Sequence, residues 1–148
     1  MAVQEQSAGV VVFRQAPQRH YLLLDFGKYW NFPGGHLKPN EAPQDAARRE
    51  LTEETGIEAV ELVTGFVRQI TYFFRDKKKG LIRKTVIFYL AQTATTEVKL
   101  SDEHVGFAFL PHQLARQRLT YASARQVLDE AEEFLCRSQP AADSEAKP

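Results

Sequence analysis

The stretch GHLKPNEAPQDAARRELTEETGI, residues 35–57, decides how this chain is read. Pro43 suits the first turn of a helix and Gly56 its C-terminal cap, so the pattern predicts a helix over about residues 43–55 between two loops. Within it Glu50, Glu53 and Glu54 fall at i, i+3 and i+4 and share one face. Like charges at that spacing repel, and the last turn already carries the negative end of the helix dipole. A hard divalent cation, Mg²⁺ or Mn²⁺, reverses both penalties because it takes oxygen ligands. The helix alone leaves a second reading open, an ordinary solvated charged face. Arg49 can pair with Asp45 or Glu53, or reach back to Glu41, and Gly34 with Gly35 lets backbone come close to a metal or phosphate.

Outward from this helix the chain is rich in strands. SAGVVVFR (7–14) and HYLLLDF (20–26) precede it, and FPGG (32–35) reads as a loop. ELVTGFVRQITYFFR (61–75) and IRKTVIFYLAQT (82–93) flank the basic turn DKKKG and read as a hairpin. HVGFAFL (104–110) is a further strand, a short helical piece follows Pro111, and residues 123–137 predict an amphipathic helix with Val127, Leu128, Ala131, Phe134 and Leu135 inward. This order predicts one α/β (α+β) domain over residues 1–138, with helices packed on a mixed β-sheet. The last ten residues, QPAADSEAKP (139–148), read as a disordered tail.

Nineteen basic residues balance nineteen acidic ones, which argues against a stable nucleic-acid partner or an anionic membrane surface. Cys136 is the single cysteine, so an internal disulfide and a cysteine zinc cluster are excluded. With no signal-like or spanning segment in the sequence, a cytoplasmic protein is expected. The oligomeric state stays open, with a monomer favoured.

Gly35, Glu41, Arg49, Glu50, Leu51, Glu53, Glu54, Gly56 and Ile57 match G-x5-E-x7-R-E-U-x-E-E-x-G-U, where U is a bulky aliphatic. In this the chain resembles the Nudix hydrolases, which cleave nucleoside diphosphates linked to another group. The resemblance implies an α/β/α sandwich with the box as loop–helix–loop. It also implies Glu50, Glu53 and Glu54 as ligands of Mg²⁺ or Mn²⁺, helped by the Gly35 carbonyl, with Arg49 and Glu41 as an orienting pair. Such metals neutralise pyrophosphate oxygens and lower the pKa of an attacking water.

Outside the box, YWNFPGGHLKPNE, GFVRQITYFFRDKKKGLIRKTVIFYL and SDEHVGFAFLP resemble the asymmetrical bis(5′-nucleosyl)-tetraphosphatases of that family. The likeness implies a small nucleotide substrate, diadenosine tetraphosphate, split to ATP and AMP. Tyr72 and Tyr121 match positions that sandwich adenine, against the bland reading of Tyr72 as a core strand residue. Lys84 matches a phosphate contact, His36 follows the glycine pair and suits another, and Lys77, Lys78, Lys79 and Arg83 form a basic rim. Glu103 is the candidate for a further metal ligand or general base, with Glu53 and Glu54 competing for the base role. His104 either orients the site or caps the strand, Trp30 packs beneath the loop, and His20 and His112 read as surface residues. The pattern departs from the subgroup at Gly34, where many members carry lysine, and in a longer Asp76–Leu81 turn. Rival substrates are diphosphoinositol polyphosphates, oxidised nucleotides and capped RNA, and a binding module without turnover is a different class again.

Overall fold

The computed structural model describes residues 2–15 and 17–138, so the expected tail lies outside the described residues. Strand β1 (Val3–Arg14) runs through the centre of the sheet. Its run from Ala8 to Phe13 is buried throughout, the mark of a strand covered on both faces. On one side it pairs in parallel with β6 (Gly80–Gln92), from Val3 opposite Ile82 to Phe13 opposite Gln92. On the other it pairs antiparallel with β4 (Gly34–His36) and, at its end, with β2 (His20–Asp25). β2 carries β3 (Trp30–Asn31) and β7 (Gly106–Leu110), and β5 (Glu61–Asp76) forms the far edge against β6. The sheet is therefore mixed, as the sequence order predicts.

Helices cover both faces. α1 (Pro43–Thr55) lays Ala46, Ala47 and Leu51 against Ala8, Val10, Val12, Leu22 and Leu24. α3 (Ala122–Ser138) lays Val127, Leu128, Ala131 and Leu135 against Val11, Phe13, Tyr21, Leu23 and Leu90 on the opposite face, with Phe134 partly buried beside them. α2 (His112–Arg118) leads into α3. Among the described residues no helix is long and apolar enough to cross a membrane.

Two expectations are corrected. FPGG is not simply loop, since Gly34 and Gly35 belong to β4, paired with Gly9 and Ala8. A Cβ on Gly34 would sit 2.7 Å from the Ala8 carbonyl oxygen and 2.8 Å from Gly9 Cα, so a side chain here would force β4 to shift from its present place on β1. His112 is also not a bare surface group, because its Nε2 lies 2.8 Å from Asp129 Oδ1 and joins α2 to α3. His20 stays at the surface, as expected, with Nδ1 at 2.8 Å from the Gln18 carbonyl oxygen in an exposed local contact. Trp30 packs against the α3-side core, as expected, under the guanidinium of Arg118.

Candidate active site

α1 begins at Pro43 and ends where Gly56 enters the left-handed region at φ 75°, its N–H bonded to the Thr52 carbonyl oxygen. Two of the remaining orphan carbonyls are taken by an incoming loop: Lys99 N–H bonds the Thr55 oxygen at 2.8 Å and Ser101 N–H the Glu54 oxygen at 3.2 Å. The SDEH segment is thereby tied to the end of the helix that carries the acids.

Arg49 organises those acids. Its guanidinium donates to both carboxylate oxygens of Glu41 at 2.8 and 2.9 Å, to Glu50 at 2.9 Å, to Glu53 at 3.0 Å and to the His36 carbonyl oxygen at 3.0 Å. Asp45 is not among its partners. The Arg49 bonds and the Lys38 N–H hold the Glu41 carboxyl down at about 2. Gly35 sits against Glu50 so tightly that a Cβ there would lie 2.4 Å from the carboxyl carbon.

Glu54 differs from its neighbours because it is buried, with 6% of its surface exposed. Its Oε1 accepts the Gly34 N–H at 2.8 Å, and its Oε2 lies 3.3 Å from His104 Nε2. Burial first, opposed by the Gly34 bond and reinforced by the charges of Glu50, Glu103 and Glu53, pushes its pKa up to about 8. Glu103 stays exposed in the turn beside His104.

A cleft of about 360 Å³ on the α3 side is lined by Tyr29, Asn31, Ile70, Tyr72, Val86, Phe88 and Tyr121. It shares Tyr29, Asn31, Tyr72, Val86 and Phe88 with a second hollow of about 260 Å³ that continues past Lys84 to His36, Gly35 and Gly34. Tyr72 and Tyr121 are about half exposed, at 46% and 47%, so neither is spent on the core. Lys84 is buried, its Nζ 3.3 Å from the His36 ring and 3.7 Å from Glu5, and burial lowers its pKa against the pull of Glu5. Lys79 reaches back to Glu5 at 3.2 Å, while Lys77 and Lys78 remain exposed at the hairpin tip. Two larger hollows, about 690 and 780 Å³, border the 93–98 loop and reach none of Glu50, Glu53 and Glu54.

The two tyrosines, Lys84, His36 and Gly35 thus line adjoining hollows, and the glycine pair at their end touches Glu50 and Glu54, while Glu53 and Glu103 line neither. Sequence reasoning missed Tyr29, which lies 5.5 Å from the Tyr121 ring and stacks on Phe26 at 4.9 Å. Its only local signal is an aromatic beside the glycine loop.

Among the described residues no three His, Cys, Asp or Glu side chains close into a metal cage, and Arg49 stands between Glu50 and Glu53. The donor set nevertheless fits a hard cation. Every candidate donor is an oxygen, and the charges of Glu50, Glu103 and Glu53, which add to burial in raising the Glu54 carboxyl, are ones a divalent ion would balance.

A NUDIX domain model matches residues 3–131. The asymmetrical bis(5′-nucleosyl)-tetraphosphatase of Mus musculus is 35% identical, over 92% of this chain and 98% of that protein. The Rattus norvegicus protein of the same name is also 35% identical, with the same coverage. Among solved structures, a binary complex of a C. elegans Ap4A hydrolase superposes with a TM-score of 0.78 at 29% identity, covering 89% of this chain and 98% of that one.

Proposed function

We propose that this chain, which belongs to the Nudix family and is a Nudix pyrophosphohydrolase, hydrolyses diadenosine tetraphosphate asymmetrically to ATP and AMP. The observation that carries this reading is the run of two adjoining hollows from the tyrosine-lined cleft, past Lys84 and His36, to Gly34 and Gly35, whose backbone meets the carboxylates of Glu54 and Glu50. A base fits the first part and a chain of phosphates the second. The names of the mouse and rat relatives support the same substrate.

In this mechanism Tyr72 and Tyr121 hold one adenine between them, with Tyr29 backing Tyr121. Lys84 and His36 bind phosphate oxygens on the way to α1. Glu50, Glu53, Glu54, Glu103 and the Gly35 carbonyl would hold Mg²⁺ or Mn²⁺, with Arg49 and Glu41 bracing the set. When bound, the cation neutralises the polyphosphate and acidifies the attacking water. Glu103, exposed beside the helix end, is the proposed base for the attacking water, with Glu53, which Arg49 already engages, and Glu54 the competing candidates. The water attacks the phosphorus farthest from the bound adenosine, the bridging oxygen leaves with ATP, and AMP is released. The cytoplasm is the proposed compartment, on the single cysteine.

Diphosphoinositol phosphates would leave the tyrosine cleft without a role, and a pure binding module would not need the acids braced by Arg49. The test is a substrate panel with Mg²⁺ and with Mn²⁺, products separated by chromatography. ATP and AMP in equal amounts from diadenosine tetraphosphate are expected. Two ADP, or rapid turnover of a substrate without a base beside none of this one, would overturn the proposal.

A further inference from the structure

We infer that His104 is a positioning residue for Glu54, and that Ser101, His104 and Glu54 form a strut aiming this carboxylate at the bound cation. The inference rests on the proposed role of Glu54 as a metal ligand.

The His104 side chain is almost wholly enclosed, with 1% exposed. Its Nδ1 lies 2.9 Å from the Ser101 hydroxyl, and its ring stands edge-on to Phe26 at 4.6 Å. Its Nε2 is the one buried side-chain nitrogen or oxygen without a hydrogen bond among the described residues. That atom faces Glu54 Oε2 at 3.3 Å, close enough to bond but out of line. An apolar side chain would fill this space without burying an unpaired polar atom, so packing alone does not explain a histidine here.

The surroundings explain it. Glu54 Oε1 is fixed by the Gly34 N–H, which leaves the rotation of Oε2 to be set from the other side. A Ser101 hydroxyl that donates to Nδ1 places the imidazole proton on Nε2, pointing at Oε2. A small turn of the carboxylate then aligns the bond. Ser101 is held to the same helix end by its own N–H on the Glu54 carbonyl oxygen, and the His104 N–H closes the turn on the Ser101 carbonyl oxygen. The strut is therefore anchored to the residue it steers. It also fixes where Glu103, one residue before His104, enters the site.

Mn²⁺ binding to the metal-free protein, measured by titration calorimetry, tests this without relying on turnover. His104→Phe keeps the packing on Phe26 and removes the donor, and it is expected to weaken Mn²⁺ binding about 10-fold or more. Its kcat should fall while KM for the nucleotide changes little. His104→Gln, whose amide can still donate, should recover Mn²⁺ affinity to within a few-fold. Ser101→Ala should shift affinity in the same direction, by less, and decides the matter if His104→Phe does not fold. Wild-type Mn²⁺ affinity in a folded His104→Phe, or in Ser101→Ala where that variant has to decide, overturns the strut. So does an equal loss in His104→Phe and His104→Gln. Glu54→Gln separates the two levels: unchanged Mn²⁺ binding in that variant overturns the metal-ligand reading itself, and the strut with it.

Discussion

At the scale of single residues, Glu54 and Gly35 carry the sharpest consequences. A carboxyl raised from 4.5 to about 8 holds its proton in the folded protein over a range where the unfolded chain has lost it. Folding stability of the metal-free protein therefore falls as pH rises through that window. Glu54→Gln keeps an acceptor for the Gly34 N–H and removes the titration. The metal-free variant should melt several degrees above the wild type near pH 8 and close to it near pH 5, as thermal unfolding would record. A difference between wild type and variant that does not grow from pH 5 to pH 8 would contradict the burial argument, a comparison in which the opposite-signed titration of buried His104 is common to both. Gly35→Ala pushes a methyl into the Glu50 carboxyl and should lower kcat by about 100-fold with little change in melting temperature. Gly34→Lys, which would give this chain the lysine that resemblance leads one to expect, should instead destabilise it, since the side chain meets the backbone of β1. Loss of each base-slot ring, Tyr72→Ala or Tyr121→Ala, should raise KM for the dinucleotide about 10-fold, leaving kcat nearly intact.

Elements place these residues, and the same elements mark how much could be read beforehand. Glu50, Glu53 and Glu54 were legible because helix periodicity, Pro43 and Gly56 are local signals. The hairpin of β5 and β6 was legible from two apolar runs around DKKKG. The tie between α1 and the 99–104 loop was not, because it consists of backbone bonds between segments far apart in sequence. His104 could be singled out but not assigned for that reason, and Tyr29 enters the site only through its packing on Phe26 and Tyr121. β4 escaped notice because a Gly-Gly pair carries no strand signal, while its place on β1 depends on that very lack of side chains.

α3 is fastened to β2 by the Tyr21 hydroxyl, which donates to Glu132 Oε1 at 2.6 Å, and by Arg19 at 3.1 Å. Burial pushes the Glu132 carboxyl up, but these two partners outweigh it and leave it below the usual range. Its contribution is whole above the ordinary glutamate value and is lost as pH falls through the depressed one. Tyr21→Phe should cost about 1 kcal/mol at neutral pH and flatten the acid side of the stability profile, measured by denaturant unfolding. An unchanged acid limb would assign that sensitivity to other carboxylates.

For the molecule as a whole, a central strand buried on both faces sets α1, which carries the acids, and α3, which borders the tyrosine-lined cleft, on opposite sides of a mixed sheet. The order of apolar runs was enough to give that layering, while the adjoining hollows needed the sheet itself. The proposed cleavage falls at the phosphorus farthest from the adenosine held by the tyrosines. Hydrolysis of diadenosine tetraphosphate in heavy-oxygen water with Mg²⁺, followed by mass spectrometry of the products, tests it most directly. Equal ATP and AMP, with the heavy oxygen in AMP alone, is the predicted result; label in ATP, or ADP as the product, would contradict it.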